Sequence, residues 1–208
     1  MRCAVSCLSS LVLVATLLFA PTDMSLGEDL SESEHMRRGV LQEWTRISNG
    51  RTEFDISDPA LLPNRLALVA GQSGCRYKEE INAAPVHFMR LEGRRLAIVF
   101  CFGVIGSHQV FDLSNLLTPR LFEFPFLAQP KGFGTTAGPG WMTWDKETGA
   151  FVAETGSDLR PSPRVRHTYR FDANQGFVVV RVELQRDGVG EWTTIWDAPS
   201  WSIPATLK

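Results

Sequence analysis

The stretch RVRHTYRFDANQGFVVVRVELQ, residues 164–185, decides the fold class. Val165, His167, Tyr169 and Phe171 alternate with Arg166, Thr168, Arg170 and Asp172. A period of two is that of a strand with one face buried and the other in water. Asp172-Ala173-Asn174-Gln175-Gly176 carries turn chemistry, because Asp and Asn bond their own backbone and Gly accepts positive φ. Residues 177–184 then return as a second strand, with Val178, Val180, Val182 and Leu184 expected on one face. The pair reads as an antiparallel hairpin.

The same grammar extends in both directions. DKETG (145–149) joins residues 141–144 to 150–155, and RDGVG (186–190) leads into 192–196. Turns at regular spacing with no helical segment between them argue for an antiparallel meander rather than βαβ units. Residues 95–102 are apolar on both faces except at Arg95, which predicts a central strand covered on both sides. From residue 65 onward the pattern is that of strands, about ten in all, enough for a sandwich or a rolled barrel. Pattern alone leaves both closures open. The run QPKGFGTTAGPG (129–140) interrupts the meander and is expected to be a flexible connector. A phosphate loop would place its Lys-Ser/Thr pair at the start of a helix, whereas here Lys131 precedes the glycines and a Trp-rich strand follows.

One helix is expected ahead of the strands, over residues 31–50. Ser31-Glu32-Ser33-Glu34 has the form of a capping box, in which hydroxyl and carboxylate each satisfy a free backbone amide. Met36, Val40, Leu41, Trp44 and Ile47 recur at helical spacing as an apolar stripe. Asn49-Gly50 is the stop, since both residues tolerate the left-handed conformation.

The first residues address the compartment. Arg2 is followed by an apolar run from Leu8 to Ala20, the length of a signal-peptide core and short of the roughly 20 residues a membrane span needs. Ser25 and Gly27 place small residues at −3 and −1, so cleavage is expected before Glu28. The acylation-like Ala4-Val5-Ser6-Cys7 precedes the apolar run instead of following it. The expected organisation is a signal peptide over 1–27, a helix and connector over 28–61, and an antiparallel β domain over 62–208. Cys3 and Cys7 leave with the leader, and Cys75 and Cys101 remain. Two cysteines in an oxidising compartment are expected to form a disulfide, and no CxxC spacing supports redox chemistry. The expected location is periplasmic or secreted, with no stable membrane span. The net charge of −2 speaks against a nucleic-acid partner, which a basic excess would attract.

GRRLAIVFC (93–101), the Trp-containing hairpins around DKETG, TYRFDANQGFVVVRVE (168–183) and GEWTTIWDAP (190–199) together carry a resemblance. Residues 62–199 resemble a family of exported bacterial proteins known as domain of unknown function 1176. Its members usually carry more cysteines than this chain. The resemblance implies export and assigns no catalytic residue.

His87, His108 and His167 lie in the β region without HxH, HExxH or CxxC pairing, so no metal or cofactor site is expected. His108 and Asp112 alternate onto one side of a strand. Ser107 and His108 are neighbours and point to opposite faces, which disfavours a nucleophile–base pair. Glu154 with Asp158 is a carboxylate pair of the kind glycoside hydrolysis uses. Of six tryptophans, Trp192 and Trp196 are expected on one strand face and Trp141 and Trp144 on opposite faces. Arg164, Arg166 and Arg170 share the outward face of one strand, Arg181 joins them from the next, and Arg160 lies close by. Guanidiniums in such a row can grip successive carboxylates or phosphates; a solvated face paired with Glu183 is the plain alternative.

The expectation that follows is an exported, non-enzymatic binding protein of the cell envelope. It would recognise an anionic ligand or a protein partner, with an anionic glycan as one form. The competing expectation is a small cell-wall-directed hydrolase working through a carboxylate pair.

Overall fold

In the computed structural model the described residues are 25–103, 106–128, 131–155, 163–186, 190–200 and 202. Residues 37–208 form one unit; of the preceding unit, 1–36, the described part is the start of the first helix. Expectations for the leader, Asp158 and Arg160 fall outside the described residues.

Two five-stranded antiparallel sheets and a two-stranded ribbon make up the β structure of the described residues. The first holds β1 (Phe54–Ile56), β2 (Val86–Leu91), β3 (Arg94–Cys101), β4 (Ser107–Asp112) and β5 (Arg120–Leu121) in that spatial order. Next in the chain, β6 (Phe124–Ala128) and β7 (Gly132–Thr136) pair as a separate ribbon. The second sheet holds β8 (Trp141–Asp145), β9 (Ala150–Thr155), β10 (Arg164–Asp172), β11 (Gly176–Gln185) and β12 (Thr193–Asp197), again in chain order. This is the expected mainly-β meander. Neither sheet closes on itself, so of the two closures the sandwich-like one is observed.

The first sheet is covered on both faces, and β3 explains how. Ala97 and Val99 face one cluster with Phe54, Phe88 and Phe111, onto which pack Val40, Trp44 and Ile47 of α1 (Ser25–Ser48) and Leu66 and Ala70 of α2 (Asn64–Gln72). Leu96 and Ile98 face a second cluster with Phe151, Tyr169, Phe177 and Val182 of the other sheet. The doubly apolar reading of residues 95–102 is thus borne out. Each large side chain fully buried there contributes roughly 1.5–3 kcal/mol.

Several local expectations are corrected. The helix starts at Ser25, so Ser31 lies inside it and cannot cap it. Its stop is as expected, with Asn49 and Gly50 at φ 47° and 74°. Leu41 is exposed, which narrows the apolar stripe to Val40, Trp44 and Ile47. Residues 64–72 are helical rather than extended because Leu66 and Ala70 fall one turn apart on the buried side. The connector residues 54–56 join the first sheet as β1. Gly132–Thr136 is a paired strand, not a flexible connector, since backbone hydrogen bonds to β6 need no side chains. In β11 a register shift opposite Thr168 and Tyr169 leaves Val180 without a cross-strand partner on β10. The bulge turns Phe177, Val179 and Val182 inward and leaves Val178 and Val180 only half buried.

Covalent and polar joints hold these layers. Cys75 and Cys101 form the expected disulfide, Cα atoms 4.7 Å apart, tying the segment after α2 to the end of β3. At Gly140, φ is 116°, and a Cβ would sit 2.1 Å from the carbonyl oxygen of Glu154. Only glycine fits where the chain enters β8 against β9.

Candidate functional site

The alternation of β10 carries Arg164, Arg166, Thr168 and Arg170 to the outer face of the second sheet, while His167, Tyr169 and Phe171 enter the core. Arg181 lies opposite Thr168 on β11. The structure thus brings Arg164, Arg166, Arg170 and Arg181 onto one face, as expected. It also brings carboxylates between them. Glu154 accepts from Arg164 Nη2 at 2.7 Å through Oε2, and from Arg166 Nε and Nη2 at 3.0 and 2.8 Å through Oε1. Glu183 lies 3.8 Å from Arg166, and Asp197 accepts from Arg181 Nε at 2.7 Å. The arginine row is therefore a lattice of alternating charge. The hydrogen bond to Asp197 comes first among the causes that raise the Arg181 pKa.

The plain alternative of a face paired with Glu183 is met at Arg166; Glu154 was not legible as a partner because cross-strand register sets it. Glu154 lies opposite Arg166 on β9, and Glu183 lies opposite it on β11. Trp192 was also placed without its partner: its ring lies 4.0 Å from the Arg166 guanidinium carbon and 5.9 Å from that of Arg164. Trp192 and Trp196 do not share a face. A register shift in β12 turns Trp196 onto the core while Trp192 covers the arginines. Trp141 is exposed and Trp144 packs on Phe151, so that pair is on opposite faces as expected.

Beside the lattice a groove of about 600 Å³ opens on the same face. Its floor is small: Ala150, Val152, Thr168 and Val180. Arg170 and Arg181 stand along it with Asp145, Glu183 and Asp197. The Asp145 carboxyl is held below its ordinary pKa, first by the Thr148 hydroxyl and then by the Glu147 amide. The volume lies within the range of small-ligand sites, and the walls offer both signs of charge.

The other chemical candidates are absorbed by the fold. His108 Nδ1 accepts the Met142 N–H, and Asp112 is engaged by Arg94, so the two do not act together. His167 Nε2 accepts the Leu127 N–H inside the core. Ser107 Oγ accepts the Gly140 N–H. Among the described residues no three His, Cys, Asp or Glu side chains converge as a metal site. Glu154 is committed to two arginines. No family model, curated protein or solved structure matches the chain.

Proposed function

We propose that this chain is an exported binding protein of the cell envelope and that its recognition surface is the outer face of the second sheet. The groove bounded by Arg170 and Arg181 carries this reading. Small floor residues leave Arg170 and Arg181, the latter paired with Asp197, lining an open groove, whereas Trp192 covers Arg164 and Arg166 where they meet Glu154. An anionic group of a protein partner or glycan would enter between Arg170 and Arg181 and share each guanidinium with the contacts it already makes, while Asp145 and Glu183 meet cationic or hydroxyl groups of the same ligand. The lattice gives selectivity by charge position rather than bulk attraction. Export rests on the leader-like first 27 residues and on the resemblance to the exported family, and the disulfide is compatible with it. The hydrolase reading gains no support from Glu154, which is committed to Arg164 and Arg166, and its candidate partner Asp158 lies outside the described residues.

The test is cross-linked co-purification of the protein from the envelope, beside the Arg170→Ser/Arg181→Ser variant. A ligand or partner identified with the parent and absent with the variant supports the reading. An equal yield from both overturns it.

A further inference from the structure

A second charged surface lies on the first sheet, where α1 stops and no longer covers it. The β2–β3 hairpin turns at Glu92-Gly93, which places Arg90 directly opposite Arg95. Such cross-strand pairs hold their Cβ atoms about 4.5–5.5 Å apart, and like charges there destabilise the sheet. The lattice on the second sheet interleaves its charges; here the two arginines have no carboxylate partner among the described residues. They border a pocket of about 190 Å³ that Arg51 also lines, together with Trp44, Phe54 and Phe88. Among the described residues no carboxylate lines it.

The walls have fixed geometry. Phe54 and Phe88 stack with centroids 4.8 Å apart, and Trp44 leans on both at 6.0 and 5.8 Å. Arg51 lies over Phe54 at 4.9 Å while its Nε and Nη2 donate to the Ser48 and Ile47 carbonyls that end α1. Two of its five donors are thereby used. Arg95 lies over Trp44 at 5.9 Å. Three cations thus converge on a small aromatic pocket.

We propose that the pocket between Arg51, Arg90 and Arg95 is a binding site for an oxyanion, phosphate or carboxylate, carried on a small apolar body. The oxyanion would bridge Arg90 and Arg95 and remove their repulsion, with bidentate hydrogen bonds to the guanidinium forks. The apolar body would rest against Trp44. The volume admits a small ring or short chain and excludes a sugar chain or folded partner. This site is independent of the groove on the second sheet.

Phenyl phosphate, benzoate and inorganic phosphate, titrated into the purified protein by calorimetry and Trp fluorescence, test it. Phenyl phosphate or benzoate is expected to saturate one site and inorganic phosphate to bind at least tenfold more weakly. Arg95→Glu, which would pair with Arg90 across the strands, is expected to abolish binding and to raise the melting temperature. Absence of saturable binding by the parent, or undiminished binding by Arg95→Glu, overturns the proposal. A lower melting temperature for Arg95→Glu also overturns it, since Arg95 would then serve packing. Binding only to phosphatidylglycerol vesicles, with neither phenyl phosphate nor benzoate taken up, would mark a membrane-facing surface and overturn it as well.

Discussion

His108 on β4 accepts the backbone N–H of Met142 on β8 through Nδ1 at 3.0 Å, and so joins the two sheets. The ring is wedged between Phe100 and Trp141, with centroids 5.3 and 4.9 Å away. A proton on Nδ1 would turn the acceptor into a donor facing another donor. Burial pushes His108 from its ordinary 6.5 to about 4. His167, which accepts from Leu127 in the same manner, is also pushed down by burial to about 4.

Acid should therefore loosen the sandwich before most carboxylates titrate. The folded state binds fewer protons than the unfolded state between pH 6.5 and 4, so stability rises with pH across that window. It is fully present above 6.5 and is lost as pH falls toward 4. Thermal unfolding followed from pH 7.5 to about 4.5 should show this decline. In His108→Asn/His167→Gln the amide oxygens replace Nδ1 and Nε2 as acceptors, and the decline should flatten. An unchanged decline in that variant would contradict the assignment.

The Cys75–Cys101 disulfide closes a segment with a sequence separation of 26. In the chain-entropy model, losing it costs roughly 3.5 kcal/mol. Cys75→Ser/Cys101→Ser should lower the denaturant midpoint correspondingly. Thiol titration of unfolded, unreduced exported protein should find neither cysteine reactive; two reactive thiols would remove the staple.

Arg94 and Arg181 should differ in stability. Arg94 donates to Asp112 and, through Nε and Nη2, to the Ala173 carbonyl in the β10–β11 turn, joining the first sheet to the second. Asp112 is buried, so Arg94→Met strands a carboxylate and should cost about 2 kcal/mol. The Arg181–Asp197 pair is exposed on both sides, and Arg181→Met should cost under about 0.5 kcal/mol. Urea unfolding of the two variants makes the comparison; equal losses would refute it.

Export predicts a mature chain beginning at or near Glu28. Mass analysis of exported material should find that terminus. A chain still starting at Met1, or a lipid on Cys7, would sink the export reading.

What was legible in the sequence was local in period. The β10 alternation placed His167, Tyr169 and Phe171 inward, and the apolar run through β3 gave a strand buried on both faces. Register was not legible. One unpaired residue, Val180, reversed the faces of half of β11, and a shift in β12 separated Trp192 from Trp196. A slip of one residue exchanges the faces of a strand, and nothing local marks either slip. The candidate site suffered most from this, because Glu154 is ten residues from Arg164 in sequence and becomes its partner only through pairing of β9 with β10. The Arg90–Arg95 opposition went unread: the Glu92-Gly93 turn sets it, and its meaning needed the end of α1 and the Trp44 wall.

Salt-titrated binding to a defined anionic glycan, polygalacturonate, measured on the parent, Arg170→Ser/Arg181→Ser and Arg164→Ser/Arg166→Ser, tests the recognition surface most directly. The account predicts that the parent binds and weakens as salt rises. Arg170→Ser/Arg181→Ser should lose at least tenfold in affinity. Arg164→Ser/Arg166→Ser should keep most of its affinity and lose about 1 kcal/mol of stability, because it leaves Glu154 unpaired. Full-strength binding by Arg170→Ser/Arg181→Ser, or a loss confined to Arg164→Ser/Arg166→Ser, would contradict the account.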